Sequence, residues 1–203
     1  MNLTIRKKLK VLDLFCGRGG WSVPFVEYGD EVIGIDIKKQ PYPAQLIVAD
    51  IRTINGTQFK GFDLIIGSPP CEDFSIARYR NKYVRGPNPE KGLQLINEFW
   101  RIVKEAQPKY YAMENVEALT KYYPIKPQWY FMISKGGKRC LWTNIPLPLV
   151  AEYRFKHKIR DIYGWEKYRW KRSYIPYPIA KYIADVVHSL LDKGEGNYFE
   201  FQY

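Results

Sequence analysis

The sequence predicts one doubly wound α/β domain with a mostly parallel sheet. Two patterns predict it. Short apolar runs alternate with stretches that carry helix signals, and the runs end on residues with chemical potential: Asp13, Asp36, Asp50, Cys71 and Glu114. Strands alternating with helices build parallel sheets, which gather ligands outside the carboxyl ends of their strands. Length agrees, since 203 residues are most simply a single domain, 1–203, with room for a real core.

The elements follow in order. Lys10 to Cys16 reads as a buried strand, and Gly17 to Gly20 as the turn after it. Pro24 suits the first turn of a helix and Gly29 its end. Glu31 to Ile37 is the second strand, Leu46 to Ile51 the third, and Phe62 to Gly67 the fourth. Residues 76–92 are polar, basic and rich in Gly and Pro, which predicts a long loop. From Glu90 to Ala106 the residues Leu93, Ile96, Trp100 and Val103 repeat at helical spacing, with Leu95, Phe99 and Ile102 widening the stripe. Tyr110 to Val116 is the fifth strand. Trp129 to Ser134 and Arg139 to Thr143 read as a final strand pair around Gly136-Gly137. Pro176 to Leu191 is a terminal helix with Ile179, Ile183, Val186 and Leu190 on one face.

Composition bounds the function. The formal net charge of +11 favours a polyanionic partner, nucleic acid first, although a basic solubility surface gives the same number. Three cysteines, at 16, 71 and 140, show no pairwise metal spacing, so neither a metal site nor a disulfide framework is expected. No apolar run approaches membrane-spanning length. The basic stretch Met1 to Lys10 runs into a segment that contains Asp13, which is not a secretory signal pattern. A reducing, cytoplasmic setting without a membrane partner is the expectation.

Each candidate residue has a plain structural reading beside the functional one. Glycines 17, 19 and 20 let a backbone turn tightly and approach a ligand, and equally serve a simple strand-to-helix turn. Asp36, 16 residues past Gly20, is placed to accept both hydroxyls of a ribose, or to cap a helix. Asp50 and Ile51 would contact an adenine, or end a strand. The glycine spacing fits a nucleoside cofactor without a pyrophosphate better than a dinucleotide. Cys71 follows Pro69 and Pro70, which fix the backbone before it. A thiol is nucleophilic only as thiolate, and Arg78, Arg80, Lys82 and Arg85 nearby offer positive charge. An inert buried cysteine is the plain alternative. Glu114 ends a strand of Tyr, Ala and Met, where a carboxylate is costly to bury without a role.

Taken together, these segments resemble a known family. Asp13-Leu14-Phe15-Cys16-Gly17-x-Gly19-Gly20, Gly67-Ser68-Pro69-Pro70-Cys71-x-x-Phe74-Ser75 and Glu114-Asn115-Val116 are similar to the first, fourth and sixth motifs of the cytosine carbon-5 methyltransferases, in order and spacing. The resemblance covers residues 10–116. Beyond it, Lys138-Arg139 resembles a reduced Gln-x-Arg-x-Arg motif, and Arg172-Ser173-Tyr174-Ile175-Pro176 the last motif. The compact tail is similar to small virus-type members. The resemblance implies a Rossmann-like S-adenosylmethionine-dependent methyltransferase fold, and methyl transfer to carbon 5 of cytosine in DNA, the activity of restriction–modification enzymes. It implies that Phe15, Cys16, Gly17, Gly19, Gly20, Asp36, Ile37, Asp50, Ile51 and Pro69 hold S-adenosylmethionine. It further implies that Cys71 attacks the base, that Glu114 hydrogen-bonds it, and that Arg139 contacts its carbonyl.

Three departures stand out. Glu72 occupies the position of a usual Gln and would oppose ionisation of the thiol. The Gln-x-Arg-x-Arg motif is incomplete. Only Asn144 to Lys171, 28 residues, separates the last strand from the final motif, where the family inserts a target-recognition domain. Residues 144–174 therefore read as a short basic and aromatic insertion. Sequence specificity would be short, supplied by a protein partner, or absent. Between Tyr153 and Tyr174 eight basic residues, including Lys167, Arg169, Lys171 and Arg172, stand against two acids and interleave with aromatics. Cations suit phosphates and aromatics suit unstacked bases, so these residues, with Ser75 and the basic loop after it, are the expected nucleic-acid contacts. The same pattern also suits a solvated hairpin with inward aromatics. Oligomeric state is not legible. RNA is the alternative substrate, amino-group methylation is disfavoured by Cys71, and a non-catalytic binding protein on the same fold is the remaining reading.

Overall fold

The computed structural model describes residues 7–74, 88–132, 138–147, 153–154 and 175–193. β1 (Lys10–Leu14) is apolar on both faces because the sheet is covered on both, and only Asp13 interrupts it. α1 (Val23–Glu27) has Pro24 in its first turn, and the chain reverses at Gly29 with φ of +78°, a conformation that disfavours side chains. β2 (Glu31–Asp36), β3 (Gln45–Val48) and β4 (Leu64–Gly67) follow. α2 (Pro89–Ala106) starts under the Asn88 side chain, which accepts from Lys91 N, and stops at Gln107 in the left-handed region before Pro108. β5 (Tyr110–Val116), β6 (Trp129–Met132), β7 (Lys138–Thr143), β8 (Tyr153–Arg154) and α3 (Tyr177–Asp192) complete the described elements.

The sheet order is β3-β2-β1-β4-β5-β7-β6-β8, and β7 alone runs against the others. The expected doubly wound, mostly parallel α/β architecture is therefore present. The chain leaves β1 for β2 and β3 on one side and returns to β4 on the other. The gap outside the carboxyl ends of β1 and β4 is thus the topological switch point, where such sheets hold ligands. Gly17–Gly20 leaves β1 there and Cys71 leaves β4 there.

Each sheet face carries a core. Val11, Leu64, Ile66, Ala112, Leu141 and Phe131 pack with Phe25 of α1 and Ile179, Ile183 and Val187 of α3. Leu12, Leu14, Ile65, Met113 and Trp142 pack with Ile96, Phe99, Ile102 and Val103 of α2. α3 is pinned at its far end by His188, whose Nε2 lies 2.8 Å from Asp30 Oδ2, while Asp30 Oδ1 accepts from Leu9 N.

Several boundaries and faces differ from expectation. β3 ends at Val48, before Asp50, because the Asp50 side chain accepts from Arg52 N and starts a 3-10 turn over Ile51–Thr53. β4 begins at Leu64, since Phe62 N is taken by Phe59 O in the preceding turn. Residues 88–92 belong to the capped start of α2 rather than to a loop; residues 75–87 lie outside the described set. On α3 the buried stripe is Ile179, Ala180, Ile183, Ala184, Val187 and His188, with Val186 and Leu190 at its border. The two alanines lie in this buried stripe, and His188 turns inward to Asp30. β6 and β7 form the expected antiparallel pair, but the Gly136-Gly137 turn lies outside the described residues and β8 was not foreseen. Among the described residues no helix is long and apolar enough to cross a membrane.

Candidate active site

The turn after β1 is built from backbone conformations that few residues tolerate. Phe15, Gly17 and Gly19 have φ of +55°, +54° and +81°. At Gly19 a Cβ would also fall 2.4 Å from the Pro43 ring, so that position is held to glycine twice over. Cys16 N donates to Ile35 O at 3.1 Å, and Gly17 N donates to Asp36 Oδ2 at 2.9 Å. Asp36 Oδ1 accepts from Lys38 N at 2.9 Å. Each Asp36 oxygen takes one backbone donor and keeps acceptor capacity, as a carboxylate must to receive a ribose diol. Ile37 beside it is 63% exposed and Val48, paired opposite Asp36, is 51% exposed. An apolar platform next to a free-edged carboxylate fits a nucleoside, and on these grounds the residues present fit S-adenosylmethionine.

The other two expected adenine contacts sit differently. Asp50 is clasped by Arg52, whose Nε donates to its two oxygens at 2.9 and 3.1 Å, and these hydrogen bonds hold its carboxyl down to about 2. Ile51 is buried among the α2-side apolar residues.

One buried carboxylate in the glycine-loop motif has contacts that periodicity did not reveal. Asp13 is fully buried, Ser22 Oγ donates to its Oδ2 at 2.6 Å, and Tyr42 OH lies 3.4 Å from the same oxygen. Among the described residues its Oδ1 has no hydrogen-bond partner. Burial pushes its pKa up to about 7, with the nearby Asp36 charge adding to the rise and Ser22 and Tyr42 working against it. Its signal in the sequence was an acid in the middle of an apolar strand.

The nucleophile candidate lies one strand over. At Gly67, a Cβ would sit 2.7 Å from Leu14 O, so glycine lets β4 end against β1. Asn115 Nδ2 donates to Pro69 O at 2.9 Å, tying the two prolines to β5. Phe74 N closes a turn onto Cys71 O, and the Phe74 ring fills the space over Gly92, where a Cβ would be 2.4 Å away. Glu114 and Arg139 share one sheet face, because Glu114 pairs with Leu141 and Val116 with Arg139 in the β5–β7 ladder. Arg139 Nη1 donates to Glu114 Oε1 at 2.8 Å and lies 4.0 Å from Cys71 Sγ. Glu114 is 2% and Arg139 9% exposed.

Among the described residues, the charges acting on Cys71 come from Arg139 on β7 and Glu114 on β5. Burial pushes the thiol up, Arg139 pulls it down, and Glu114 pushes it up again. Glu72 is exposed and is not among these influences, contrary to expectation, because its carboxylate stays in solvent. Ser75, Arg78, Arg80, Lys82 and Arg85 lie outside the described residues, as do Lys167, Arg169, Lys171 and Arg172.

The chain is similar to proteins of known kind. Residues 9–126 match the family model for C-5 cytosine-specific DNA methylases. The Type II methyltransferase M.FnuDI of Fusobacterium nucleatum is 35% identical over 211 residues, covering 91% of this chain and 56% of that protein. The DNA (cytosine-5-)-methyltransferase M.ApeKI of Aeropyrum pernix is 30% identical over 139 residues, covering 55% of this chain and 29% of that protein. The chain thus spans little more than half of the first and under a third of the second. A crystal structure of a prophage-encoded E. coli protein, described as a DNA modification methyltransferase, superposes with a TM-score of 0.50 at 22% identity, over 67% of this chain and 46% of that one, which shows the fold alone.

Two measurements follow from the site's electrostatics. In the folded chain Asp13 keeps its proton to about pH 7, whereas an unfolded Asp releases it near 3.8, so stability falls as pH rises through that window. The Asp13→Asn variant lacks this loss, and its melting temperature should gain on the wild type from pH 4 to pH 7. Alkylation of Cys71 as a function of pH should shift to lower pH in Glu114→Gln and to higher pH in Arg139→Gln, because the first removes a charge that opposes the thiolate and the second one that favours it.

Proposed function

This chain belongs to the C-5 cytosine-specific DNA methylase family, and we propose that it transfers a methyl group from S-adenosylmethionine to carbon 5 of cytosine in DNA. The observation that carries the reading is the cluster of Cys71, Arg139 and Glu114 at the switch point beside the glycine loop. Phe15, Cys16, Gly17, Gly19 and Gly20 would cradle the cofactor, with Asp36 on its ribose and Ile37, Asp50 and Ile51 toward its adenine; Pro69 would border it from the nucleophile side. When bound, S-adenosylmethionine supplies an electrophilic methyl group.

The chain's own residues would do the rest. The target cytosine leaves the base stack and enters the crevice. Cys71 loses its proton to solvent, with Arg139 stabilising the sulfur's charge, and the thiolate forms a bond to carbon 6. The carbon 5–carbon 6 π pair moves to carbon 5. Glu114 accepts from the exocyclic amine and, in its acid form, donates to the ring nitrogen, favouring protonation there as negative charge develops on the ring; the proton returns to Glu114 when the ring bond is restored. Carbon 5 takes up the methyl group with that pair. Loss of the carbon 5 proton then returns a pair to the ring bond and expels the Cys71 sulfur. In the net reaction a methyl cation replaces a proton. Arg139 on Glu114 also fixes the carboxylate's orientation, and it is placed to meet the base carbonyl.

The 28 residues between β7 and the final motif are short for a separate recognition domain, a compactness similar to that of small virus-type members. In this reading residues 144–174, with Lys167, Arg169, Lys171 and Arg172, contact the nucleic acid, and Ser75, Arg78, Arg80, Lys82 and Arg85 close over the base.

The test is labelled-methyl transfer from S-adenosylmethionine to DNA and, separately, to RNA, with wild type and Cys71→Ser. Label in 5-methylcytosine of DNA that drops at least a thousandfold in the variant, as expected for a covalent nucleophile, supports the reading. Label in RNA alone moves the substrate to RNA. Label that persists in the variant overturns the cysteine mechanism.

A further inference from the structure

The residue before the two prolines is tied twice to the glycine-loop segment. Ser68 N donates to Leu14 O, the end of β1, at 3.3 Å. Its Oγ accepts from the indole Nε1 of Trp21, the residue after Gly20, at 3.0 Å. Trp21 is buried with the α1 and α3 core, so packing holds the ring, and its single donor is spent on Ser68. Beyond Ser68 the chain has little slack. Pro69 and Pro70 fix two φ angles, Asn115 holds the Pro69 carbonyl, and Cys71 is the third residue on. On the far side of Cys71, Arg139 belongs to β7, which is not part of this connection, whereas Glu114 shares β5 with the Asn115 that holds Pro69.

We propose that Trp21 and Ser68 form a strut that couples occupancy of the glycine loop to the position of the Cys71 sulfur relative to Arg139. The proposal rests on the methyltransferase reading of the site. Both are positioning residues, since neither touches the reacting atoms. A ligand seated on Phe15 to Gly20 bears on the turn that ends in Trp21. The indole passes any displacement to Ser68, and the two prolines carry it to Cys71. The 4.0 Å gap between Sγ and Arg139 Nη1 is the distance this movement changes. Because β7 holds Arg139 in place and Asn115 anchors only the Pro69 carbonyl, a small shift of the loop alters how strongly the thiol is favoured as thiolate. Energetic coupling of two sites is reciprocal, so modification of Cys71 changes affinity in the glycine loop in turn.

The experiment measures the alkylation rate of Cys71 by iodoacetamide, read by mass spectrometry on its peptide, with and without saturating S-adenosylhomocysteine. Trp21→Phe keeps an aromatic ring and removes the donor. Ser68→Ala removes the acceptor without touching the core, and Ser68→Thr keeps it. In wild type the ligand should change the rate by about fivefold, the leverage of one hydrogen bond. The change should collapse toward onefold in Trp21→Phe and in Ser68→Ala, go no further in the double variant, and persist in Ser68→Thr. A ligand effect of equal size in every variant is steric shielding and overturns the strut, as does a wild-type rate that ignores the ligand. Calorimetry of the same ligand separates the two readings. Wild type that binds no S-adenosylhomocysteine overturns the methyltransferase reading and the strut together, whereas binding with variant-independent alkylation overturns the strut alone.

Discussion

The parallel pairing of β1 with β4 is the constraint on which the site depends. Leu14 and Gly67 lie in register, so the two strands end level and their loops open into the same crevice. The fit is close enough that Gly67 has no room for a Cβ against the Leu14 carbonyl. The sheet order places this pair where the chain reverses direction across the sheet. Everything chemical follows from that adjacency. A loop shaped for a nucleoside and a loop carrying a thiol share one opening, and β5 beside them contributes Glu114 and the Asn115 brace.

The charge balance in the crevice depends on the one strand that runs the other way. β7 is antiparallel to β5, so its first residues stand level with the carboxyl end of β5. That reversal is how Arg139 reaches both Glu114 and Cys71. A buried ion pair of this kind is weak evidence for stability, because desolvation offsets much of the attraction between the charges. Its value here lies in orientation. It fixes the Glu114 carboxylate and sets a guanidinium beside a sulfur whose pKa burial still holds above the usual thiol value.

Much of this was legible from residue order. The apolar runs ending on Asp13, Asp36, Cys71 and Glu114 located β1, β2, β4 and β5, because buried parallel strands are apolar on both faces. Amphipathic spacing located α2, whereas its Asn88-capped start read as loop. The rest depended on tertiary contacts that no local pattern encodes. The α3 stripe turned toward Ala180, Ala184 and His188, with the Asp30 partner drawing His188 inward while Val186 and Leu190 stay at the border. Asp50 read as a strand end, but its side chain competes for the backbone and starts a turn. Arg139, which reaches Cys71 from a strand 68 residues away, had no local signal that tied it to the thiol.

The most direct test of the account is trapping of the Cys71 adduct. A DNA duplex carrying 5-fluorocytosine has no proton to lose from carbon 5, so the sulfur should remain bonded to carbon 6 after methyl transfer. Incubated with the protein and S-adenosylmethionine, such a duplex should yield a denaturation-resistant complex whose mass maps to the Cys71 peptide carrying a methylated, fluorinated cytosine. Methylation of ordinary cytosine DNA by the same preparation with no adduct on Cys71, or with the adduct on Cys16 or Cys140, would contradict it.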